Sequence, residues 1–236
     1  MNLTTKPIAL SSIQDSHLKL GAVMEENNGY LVPLHYSSKD VEVKQAYQSV
    51  GIVDVSFVDK FNITGKDIEI FLNKVFAGLA MPNVGTAKSV EVGYGTDTIK
   101  VNIARLAIDE LHVSTKNHYD DFSEFINVSE NGCLHVTDIT SGLSVFRVIG
   151  PLSVKLLRCL TEFDLSPLKF PDMSCTRTRF ADVQAVILRT DFEELPVFEL
   201  YVTREYAQYV WDSIFYVGKK FDLTPIGIEA MNELSG

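Results

Sequence analysis

Three pairs of adjacent carboxylates are the first candidates for chemistry in this sequence. They are Glu25-Glu26, Asp120-Asp121 and Glu193-Glu194. A positioned carboxylic acid can give or take a proton in a reaction, so each pair could supply a general acid or base. Adjacent carboxylates in loops are ordinarily solvated, however. We therefore favour a surface position for all three pairs.

The histidines and cysteines do not have the spacing of metal ligands. No histidine stands at ligand spacing from a cysteine or carboxylate on a recognisable element, which predicts no metal site. The cysteines are odd in number and widely spaced, which is typical of reduced thiols. Cys159 lies in an apolar run and is predicted to pack rather than to act as a nucleophile. The residues concerned are His17, His35, His112, His118, His135, Cys133, Cys159 and Cys175.

The nearest approach to a dinucleotide-binding motif is Gly93-Tyr94-Gly95. Thr98 stands where the third glycine of that motif belongs, so a turn is the simpler interpretation. The sequence also lacks the P-loop lysine motif, the Gly-x-Ser-x-Gly elbow and His-Glu-x-x-His. These absences disfavour nucleotide hydrolysis, serine hydrolysis and metalloproteolysis.

The composition predicts a soluble protein with a sizeable core. The chain has 236 residues, 46% of them hydrophobic, enough for one core or two small lobes around a shared seam. Its formal net charge of −10 disfavours binding to nucleic acid or to an anionic membrane surface. Residues 1–12 lack the features of a signal peptide, and no stretch has the roughly 18 apolar residues of a membrane span. We expect a cytoplasmic protein with neither nucleic acid nor membrane as a partner.

Residues 51–78 are predicted to form two short strands and a helix, which would position any site in this part of the chain. Apolar residues alternate with small or polar ones over 51–57 and again over 61–64, which indicates strands. After Gly65, apolar residues recur at helical spacing and share one face. The residues on that face are Ile68, Phe71, Leu72 and Val75.

The same order of elements recurs later in the chain. Residues 146–157 repeat the strand, glycine turn and helix of residues 61–72. We therefore predict an internal pseudo-repeat around 51–78 and 136–161, within a single unit that covers 1–236. One such unit cannot bury its own apolar face, so two copies packed together are a natural arrangement.

The remaining patterns predict a hairpin and two further helices. Residues 185–189 and 197–202 are apolar runs that flank a turn, as in a hairpin. Thr203 is suited to cap a following helix, and the polar stretch 116–124 is suited to begin another. The apolar face of the helix after Thr203 is predicted to be Tyr206, Val210, Ile214 and Val217. The predicted fold class is α+β, with antiparallel sheets and helices packed on them.

Several motifs together resemble one family. The segment Gly51-Ile52-Val53-Asp54-Val55-Ser56, followed by Ile63-Thr64-Gly65-Lys66-Asp67, matches that family's "G-L-F-D-V-S … V-x-G-x-D-A". Val148-Ile149-Gly150-Pro151 is similar to its "V-Q-G-P". The chain thus resembles, over nearly all of its length, the T-protein of the glycine cleavage system, an aminomethyltransferase of the folate-binding superfamily. The resemblance implies duplicated antiparallel sheet and helix units of the aminomethyltransferase folate-binding fold, without the family's extra carboxy-terminal barrel.

The resemblance also implies a site. Members of this family hold tetrahydrofolate in a central cavity, where a carboxylate assists the transfer of a one-carbon unit. Alignment puts Lys100 in the place of that carboxylate, with Asp97 as the nearest candidate substitute, while Leu195 replaces a glutamate that holds the pterin and Met231 an arginine. Arg189 is interpreted either as an anion contact to the folate tail or as a surface arginine. The folate-binding candidates are Tyr94, Asp97, Lys100, Lys116, Arg189, Phe192 and Glu194.

The second half of the chain is similar to the gamma subunit of heterotetrameric sarcosine oxidase, a short protein of the same fold. We therefore expect a non-catalytic or degenerate folate-fold subunit, with flavoprotein subunits or a second copy of itself as partner. The flavoprotein would oxidise an amine or N-methyl amino acid. A stand-alone tetrahydrofolate-dependent aminomethyltransferase or demethylase, with a site rebuilt around Asp97, Glu194 and Arg189, is the first alternative. An orphan ligand-binding module is the second.

Overall fold

The computed structural model describes residues 8–76, 79–94, 97–116 and 133–234. The Asp120-Asp121 pair, His118 and most of the helix predicted to begin in 116–124 lie outside these residues. The described strands form three sheets. The smallest consists of β1 (Ala9–Leu10), β2 (Val23–Asn27) and β3 (Tyr30–His35), with β3 in the middle.

The two larger sheets carry most of the fold. The six-stranded sheet consists of β4 (Val50–Asp54), β10 (Leu143–Ile149), β11 (Cys175–Phe180), β12 (Val183–Arg189), β13 (Val197–Thr203) and β14 (Leu223–Pro225), in the order β11-β12-β13-β10-β4-β14. All its pairings are antiparallel except that of β14 with β4. The five-stranded sheet is antiparallel throughout and consists of β5 (Lys60–Gly65), β6 (Ala87–Tyr94), β7 (Asp97–Ala107), β8 (Glu110–Thr115) and β9 (Leu134–Asp138), in the order β6-β7-β8-β5-β9.

Six α-helices accompany the sheets in the described residues. They are α1 (Gln14–Lys19), α2 (Lys39–Gln48), α3 (Ile68–Val75), α4 (Ser153–Leu157), α5 (Ala207–Gly218) and α6 (Ile228–Glu233). Helices α4 and α5 cover one face of the six-stranded sheet, and α3 covers one face of the five-stranded sheet. None of the described helices is long and apolar enough to cross a membrane.

Strand alternation decides which residues lie between the sheets. Successive side chains of a strand point to opposite faces. In β10, Phe146 and Val148 therefore pack on the helices, while Arg147 faces the five-stranded sheet. In β8, Val113 packs under α3, while Ser114 reaches across to the six-stranded sheet. The layers thus run helix, sheet, sheet, helix, with a seam between the two sheets.

The α+β fold class and the principal elements agree with the sequence-based expectations. The strands predicted over 51–57 and 61–64 are β4 and β5, and the predicted helix is α3, with Ile68, Phe71 and Leu72 buried. The predicted hairpin is formed by β12 and β13.

Two details of the prediction are wrong. Tyr206 is 46% exposed because the chain first makes a 3-10 turn (Arg204–Tyr206), which rotates the apolar face of α5 towards Ala207 and Trp211. Cys159 is exposed rather than packed, because it follows the end of α4 in a surface turn. All three cysteines are free thiols, as predicted.

The two glycine turns of the pseudo-repeat have the same unusual backbone. Gly65 has a φ of +140° and Gly150 a φ of +128°, and each stands between a strand and a helix. Residues with a side chain rarely adopt this conformation. The strands that lead into these two turns, β5 and β10, lie in different sheets, on the two sides of the seam. The duplication and the single-unit organisation of residues 1–236 stay predictions.

We expect Gly150→Ala to lower the free energy of unfolding by about 2 kcal/mol or more. A Cβ at this position would lie 2.5 Å from the carbonyl oxygen of Ala46 and 2.6 Å from that of Ser49. Gly142→Ala is the control, since nothing lies within 4 Å of its Cβ. Urea unfolding measures both, and equal stabilities of the two variants would contradict the steric explanation.

Candidate functional site

A cavity of about 110 Å³ opens in the seam between the two large sheets. Strands β6 and β7 form one wall, β10 and β13 form the opposite wall, and the turn after β12 closes one side. Its lining residues are Ser89, Lys100, Asn102, Lys116, Arg147, Ile149, Met173, Thr190, Asp191, Phe192, Val197, Glu199 and Leu234. Charged groups at the interior of a sheet sandwich are uncommon, which marks this cavity as the candidate site.

A buried ion pair forms one wall of the cavity. Arg147 of β10 and Glu199 of β13 are directly opposed in the antiparallel register, so their side chains meet on the seam face. The Oε1 atom of Glu199 accepts hydrogen bonds from Nε of Arg147 at 3.2 Å and from Nη2 at 2.6 Å. Both residues are more than nine-tenths buried.

Tyr201 extends this pair to the opposite sheet. Its hydroxyl donates a hydrogen bond to the other carboxylate oxygen of Glu199 and lies 3.0 Å from Oγ of Ser114. Burial, and next the charge of Glu199, raises the pKa of Tyr201 well above its ordinary value. The phenol therefore stays protonated and donates to Glu199, while its oxygen remains within hydrogen-bond distance of Ser114 on the opposite sheet.

Two lysines line the cavity from the five-stranded sheet. The backbone N–H of Lys116 donates to the carbonyl oxygen of Lys100 at 3.2 Å, so the two residues are neighbours at this end of β7 and β8. Burial lowers the pKa of Lys116, and the positive charges of Lys100 and Arg147 lower it further. Lys116 therefore lies within the electrostatic field of both neighbouring cations.

Asp191 enters the cavity from the turn after β12. Its Oδ1 lies 2.8 Å from Nε of Arg189, and its Oδ2 lies 2.7 Å from Nη2 of the same residue. Arg189 is itself buried, donates from Nη1 to the carbonyl oxygen of Phe170 at 2.7 Å, and stacks over the ring of Phe198 at 5.4 Å. Arg189 thus holds Asp191 in place from behind the cavity wall.

Three of the residues predicted from the family resemblance meet at this cavity: Lys100, Lys116 and Phe192. Arg189 and Glu194 are not among the lining residues, and Glu194 is exposed. Glu193 adopts a left-handed φ of 53°, which forms the tight turn that puts Glu194 on the surface. The backbones of Tyr94 and Asp97 pair at the end of the β6–β7 hairpin, but their side chains lie outside the described part of the structure.

Three charged cavity residues, Arg147, Asp191 and Glu199, were missed by sequence reasoning. The sequence did contain an indication for two of them. Arg147 and Glu199 are charged residues in largely apolar strands, and each has an apolar residue on both sides. A charge in such a place needs a partner. The partner itself lies 52 residues away and depends on the strand register, which the sequence does not display.

Asp54 belongs to a separate buried network at the carboxyl end of β4. Its carboxylate lies 3.0 Å from Nε2 of His17 and accepts the N–H of Ser56 at 2.9 Å. The Nδ1 atom of His17 lies 2.7 Å from the hydroxyl of Tyr36. Burial would raise the pKa of Asp54, but the hydrogen bonds from His17, Ser11 and Ser56 outweigh it and lower that pKa. These contacts bind the amino-terminal segment to β4, which gives Asp54 a structural role.

His112 lines a second cavity of about 240 Å³ at the other end of the seam. The ring packs edge-on against Tyr201, with 4.4 Å between centroids, and no described residue bonds its Nε2 atom. Burial, and next the charges of Lys60 and Arg177, lowers the pKa of His112 to about 3. The imidazole is therefore neutral near pH 7. Among the described residues, no three His, Cys, Asp or Glu side chains converge as metal ligands do.

Two sheets that enclose a charged cavity, with a helix layer outside each, define the class of this protein as an α+β domain with a two-sheet core. The chain belongs to the family of GCVT N-terminal domains, which it matches over residues 13–235. The resemblance to aminomethyltransferases found from the motifs is thereby confirmed.

Curated relatives of the chain carry the name aminomethyltransferase. The protein of Bacteroides thetaiotaomicron is 29% identical over 226 residues, which are 93% of this chain and 62% of the relative. That of Anoxybacillus flavithermus is 28% identical over 92% of this chain and 61% of its own length. The chain therefore spans about three-fifths of the length of these relatives.

Two solved structures share the fold. The aminomethyltransferase T of the glycine cleavage system from Bartonella henselae superposes with a TM-score of 0.81 at 16% identity, covering 96% of this chain and 62% of that one. A chain of the heterotetrameric sarcosine oxidase from Corynebacterium sp. U-96 superposes with a TM-score of 0.62 at 15% identity, covering 91% of this chain and 96% of that one.

We expect Arg147→Met to destabilise the protein by about 3–5 kcal/mol, because Glu199 would be left buried without its ion-pair partner. The double variant Arg147→Met with Glu199→Leu should recover most of this loss, since neither charge then remains unpaired. Urea unfolding of the two single variants and the double variant measures the coupling. Additive losses would show that the two side chains do not act as a pair.

We expect the free energy of unfolding to decrease as the pH falls below about 6.5, because of the protonation of His112 in the unfolded chain. The unfolded chain binds a proton at His112 near pH 6.5, whereas the folded protein does so only at about pH 3. Between these values the unfolded state binds more protons, so stability falls as pH falls. Between about pH 6.5 and about pH 4.5, this difference lowers the free energy of unfolding by about 2–3 kcal/mol.

The variant His112→Gln should lack this part of the acid sensitivity, whereas His135→Gln, at an exposed position on β9, should keep it. Unfolding free energies of the three proteins at both pH values provide the measurement. An equal acid loss in His112→Gln and in the unaltered protein would refute the assignment.

Proposed function

We propose that this chain is a non-catalytic or degenerate subunit of the folate-binding fold, associated with a flavin-dependent oxidoreductase that acts on an amine or N-methyl amino acid. The observation that carries the proposal is the position of Lys100 on the cavity wall. The family resemblance expects a carboxylate there. A protonated ammonium group cannot accept a proton from a reacting nitrogen, so the substitution removes the group that would assist one-carbon transfer.

The two carboxylates that do line the cavity support the same proposal. Glu199 is bonded to Arg147 and Tyr201, and Asp191 is bonded to Arg189. A carboxylate whose oxygens already accept hydrogen bonds within the protein has less capacity to accept one from a ligand. Neither is therefore a ready replacement for the family's acid.

The cavity residues fit tetrahydrofolate only in part. Phe192 offers an aromatic surface, and Ser89 and Asn102 offer hydrogen-bonding groups. The cavity of about 110 Å³ is nevertheless smaller than the roughly 300–1,000 Å³ of drug-sized ligand sites, and its carboxylates are already bonded within the protein. We therefore derive no transfer step through this cofactor.

The likeness to the sarcosine oxidase chain supports the partner in this proposal. That chain is nearly fully covered by the superposition, and it belongs to a heterotetramer. At 15% identity the structural similarity supports a shared fold only. The flavoprotein partner is therefore inferred from the fold together with the altered cavity. Association of two copies of this chain would be the other arrangement of subunits.

A stand-alone tetrahydrofolate-dependent aminomethyltransferase or demethylase is the second candidate. It is favoured by the name of the curated relatives and by the two carboxylates at the cavity. The sequence predicts this site around Asp97, Glu194 and Arg189; Glu194 lies away from the cavity, while Arg189 is bonded to Asp191 of the cavity lining. An orphan ligand-binding module would use the same cavity without any transfer.

We expect the full chain, purified from its native cells at low salt, to elute with a flavoprotein that absorbs visible light as flavins do. In a parallel assay with tetrahydrofolate and an aminomethyl-lipoyl carrier, we expect no transfer above the uncatalysed rate, because the carboxylates among the described cavity residues are both bonded within the protein. Elution alone without flavin would contradict the subunit proposal. Measurable transfer that is lost in Asp191→Asn would establish the second candidate instead.

A further inference from the structure

A second cavity, of about 240 Å³, lies at the opposite end of the seam from the cavity that contains Lys100. Strands β5, β7 and β8 contribute to it from the five-stranded sheet, and β10, β11, β12 and β13 contribute from the six-stranded sheet. The two cavities have no lining residue in common among the described residues. The second cavity is therefore a separate space with its own chemistry.

His112 provides the polar atom of interest in the second cavity. The residue is 3% exposed, and its buried Nε2 atom has no hydrogen-bond partner among the described residues. His112 stands opposite Asn62 in the register of β5 and β8, and its ring packs edge-on against Tyr201 of the facing sheet. Buried polar atoms without a partner are unfavourable for folding and rare in native proteins. An unpartnered nitrogen beside an open space indicates a position for a ligand.

Apolar side chains form much of the wall of the second cavity. The arginine at its edge is already paired, because Arg177 donates to both carboxylate oxygens of Glu110 on the other sheet, at 2.6 and 3.1 Å. The hydroxyl of Tyr201 is likewise bonded to Glu199. The half-buried apolar lining residues are Leu106, Ile139, Leu143 and Val186, and the exposed polar ones are Arg177, Gln184 and Thr203. The wall therefore favours a ligand with an apolar body.

The size and charge of the second cavity narrow the class of ligand further. An apolar cavity of about 150 Å³ in another protein holds benzene, so about 240 Å³ is enough for a single ring with one substituent. The positive charges of Lys60 and Arg177, which act on His112, would also repel a cation. An anion would lose its hydration against the apolar wall, while Arg177 is already paired. A neutral ligand therefore fits best.

We propose that the second cavity binds a compact neutral molecule with an apolar ring and one hydroxyl group, held by a hydrogen bond between that hydroxyl and Nε2 of His112. A hydroxyl both donates and accepts, so it can pair with either tautomer of the neutral imidazole. The torsion that turns a histidine ring is broad, and a small rotation brings the buried Nε2 atom to the ligand. This inference goes beyond the proposed function and does not depend on it.

Phenol and toluene are matched probes for this site, because they have nearly the same shape and only phenol has the hydroxyl. The full chain with isotope-labelled nitrogen is titrated with each probe, and the NMR signals of its backbone amides give the affinity. We expect phenol to shift the ring-nitrogen signals of His112. We also expect phenol to bind about tenfold more tightly than toluene, the difference that one additional hydrogen bond makes.

The variant His112→Phe removes the nitrogen and keeps an aromatic ring against Tyr201. It should bind phenol about tenfold more weakly than the unaltered chain does, and toluene about equally well. His135→Phe is the matched control, since it makes the same exchange at an exposed position on β9, and its affinity for phenol should stay within about twofold. Val186→Phe places a larger side chain in the wall and should weaken the binding of both probes. Thermal unfolding verifies that every variant is folded.

Equal affinity of phenol for His112→Phe and for the unaltered chain would overturn the proposal, and so would toluene that binds as tightly as phenol. The proposal also fails if neither probe shifts the ring-nitrogen signals of His112, a result that would leave an ordinary bound water as the partner of Nε2. These titrations use the isolated chain and do not involve a flavoprotein. Failure of either proposal therefore leaves the other intact.

Discussion

The buried pair of Arg147 and Glu199 is the interaction on which the seam between the two sheets depends. A buried ion pair persists only where the geometry is good and the remaining hydrogen-bonding groups are satisfied. Tyr201 meets this requirement for Glu199, and it lies in turn against Ser114 of the opposite sheet. The sheets are therefore joined by a polar chain at a level where packed sheets ordinarily share an apolar core.

This constraint explains why the cavity lies where it does. Polar groups on both inner faces cannot interdigitate as aliphatic side chains do, so the seam does not close completely around Arg147. Apolar burial occurs on the outer faces, under α3 and under α4 and α5, and also in the seam itself, where Val145, Ile149 and Val197 belong to a third buried cluster. The polar chain of Arg147, Glu199 and Tyr201 is thus set among apolar side chains of the seam, and the cavity lies beside it.

The elements of the fold follow from the sequence more readily than the site does. The periodicity of residues 51–57 and of Ile68 to Val75 is local, and it was sufficient to predict β4 and α3. The pairing of Arg147 with Glu199 depends on a register between distant strands, so local patterns contain no trace of it. Glu194 shows a similar limit, because the left-handed backbone of Glu193 precedes it in the turn and its side chain is exposed, which the order of residues alone does not reveal.

A fold of this kind does not determine its ligand; the charges placed in its seam do. With an acid at the position of Lys100, the field of the cavity would favour a cationic or proton-donating nitrogen. With a protonated ammonium group there, this position cannot accept a proton. The scaffold of β7, β8, β10 and β13 can stay unchanged while one side chain changes the chemistry that the cavity supports. Such an exchange has little effect on the free energy of unfolding because Lys100 is exposed. A change to the buried Arg147 would instead remove its ion pair with Glu199.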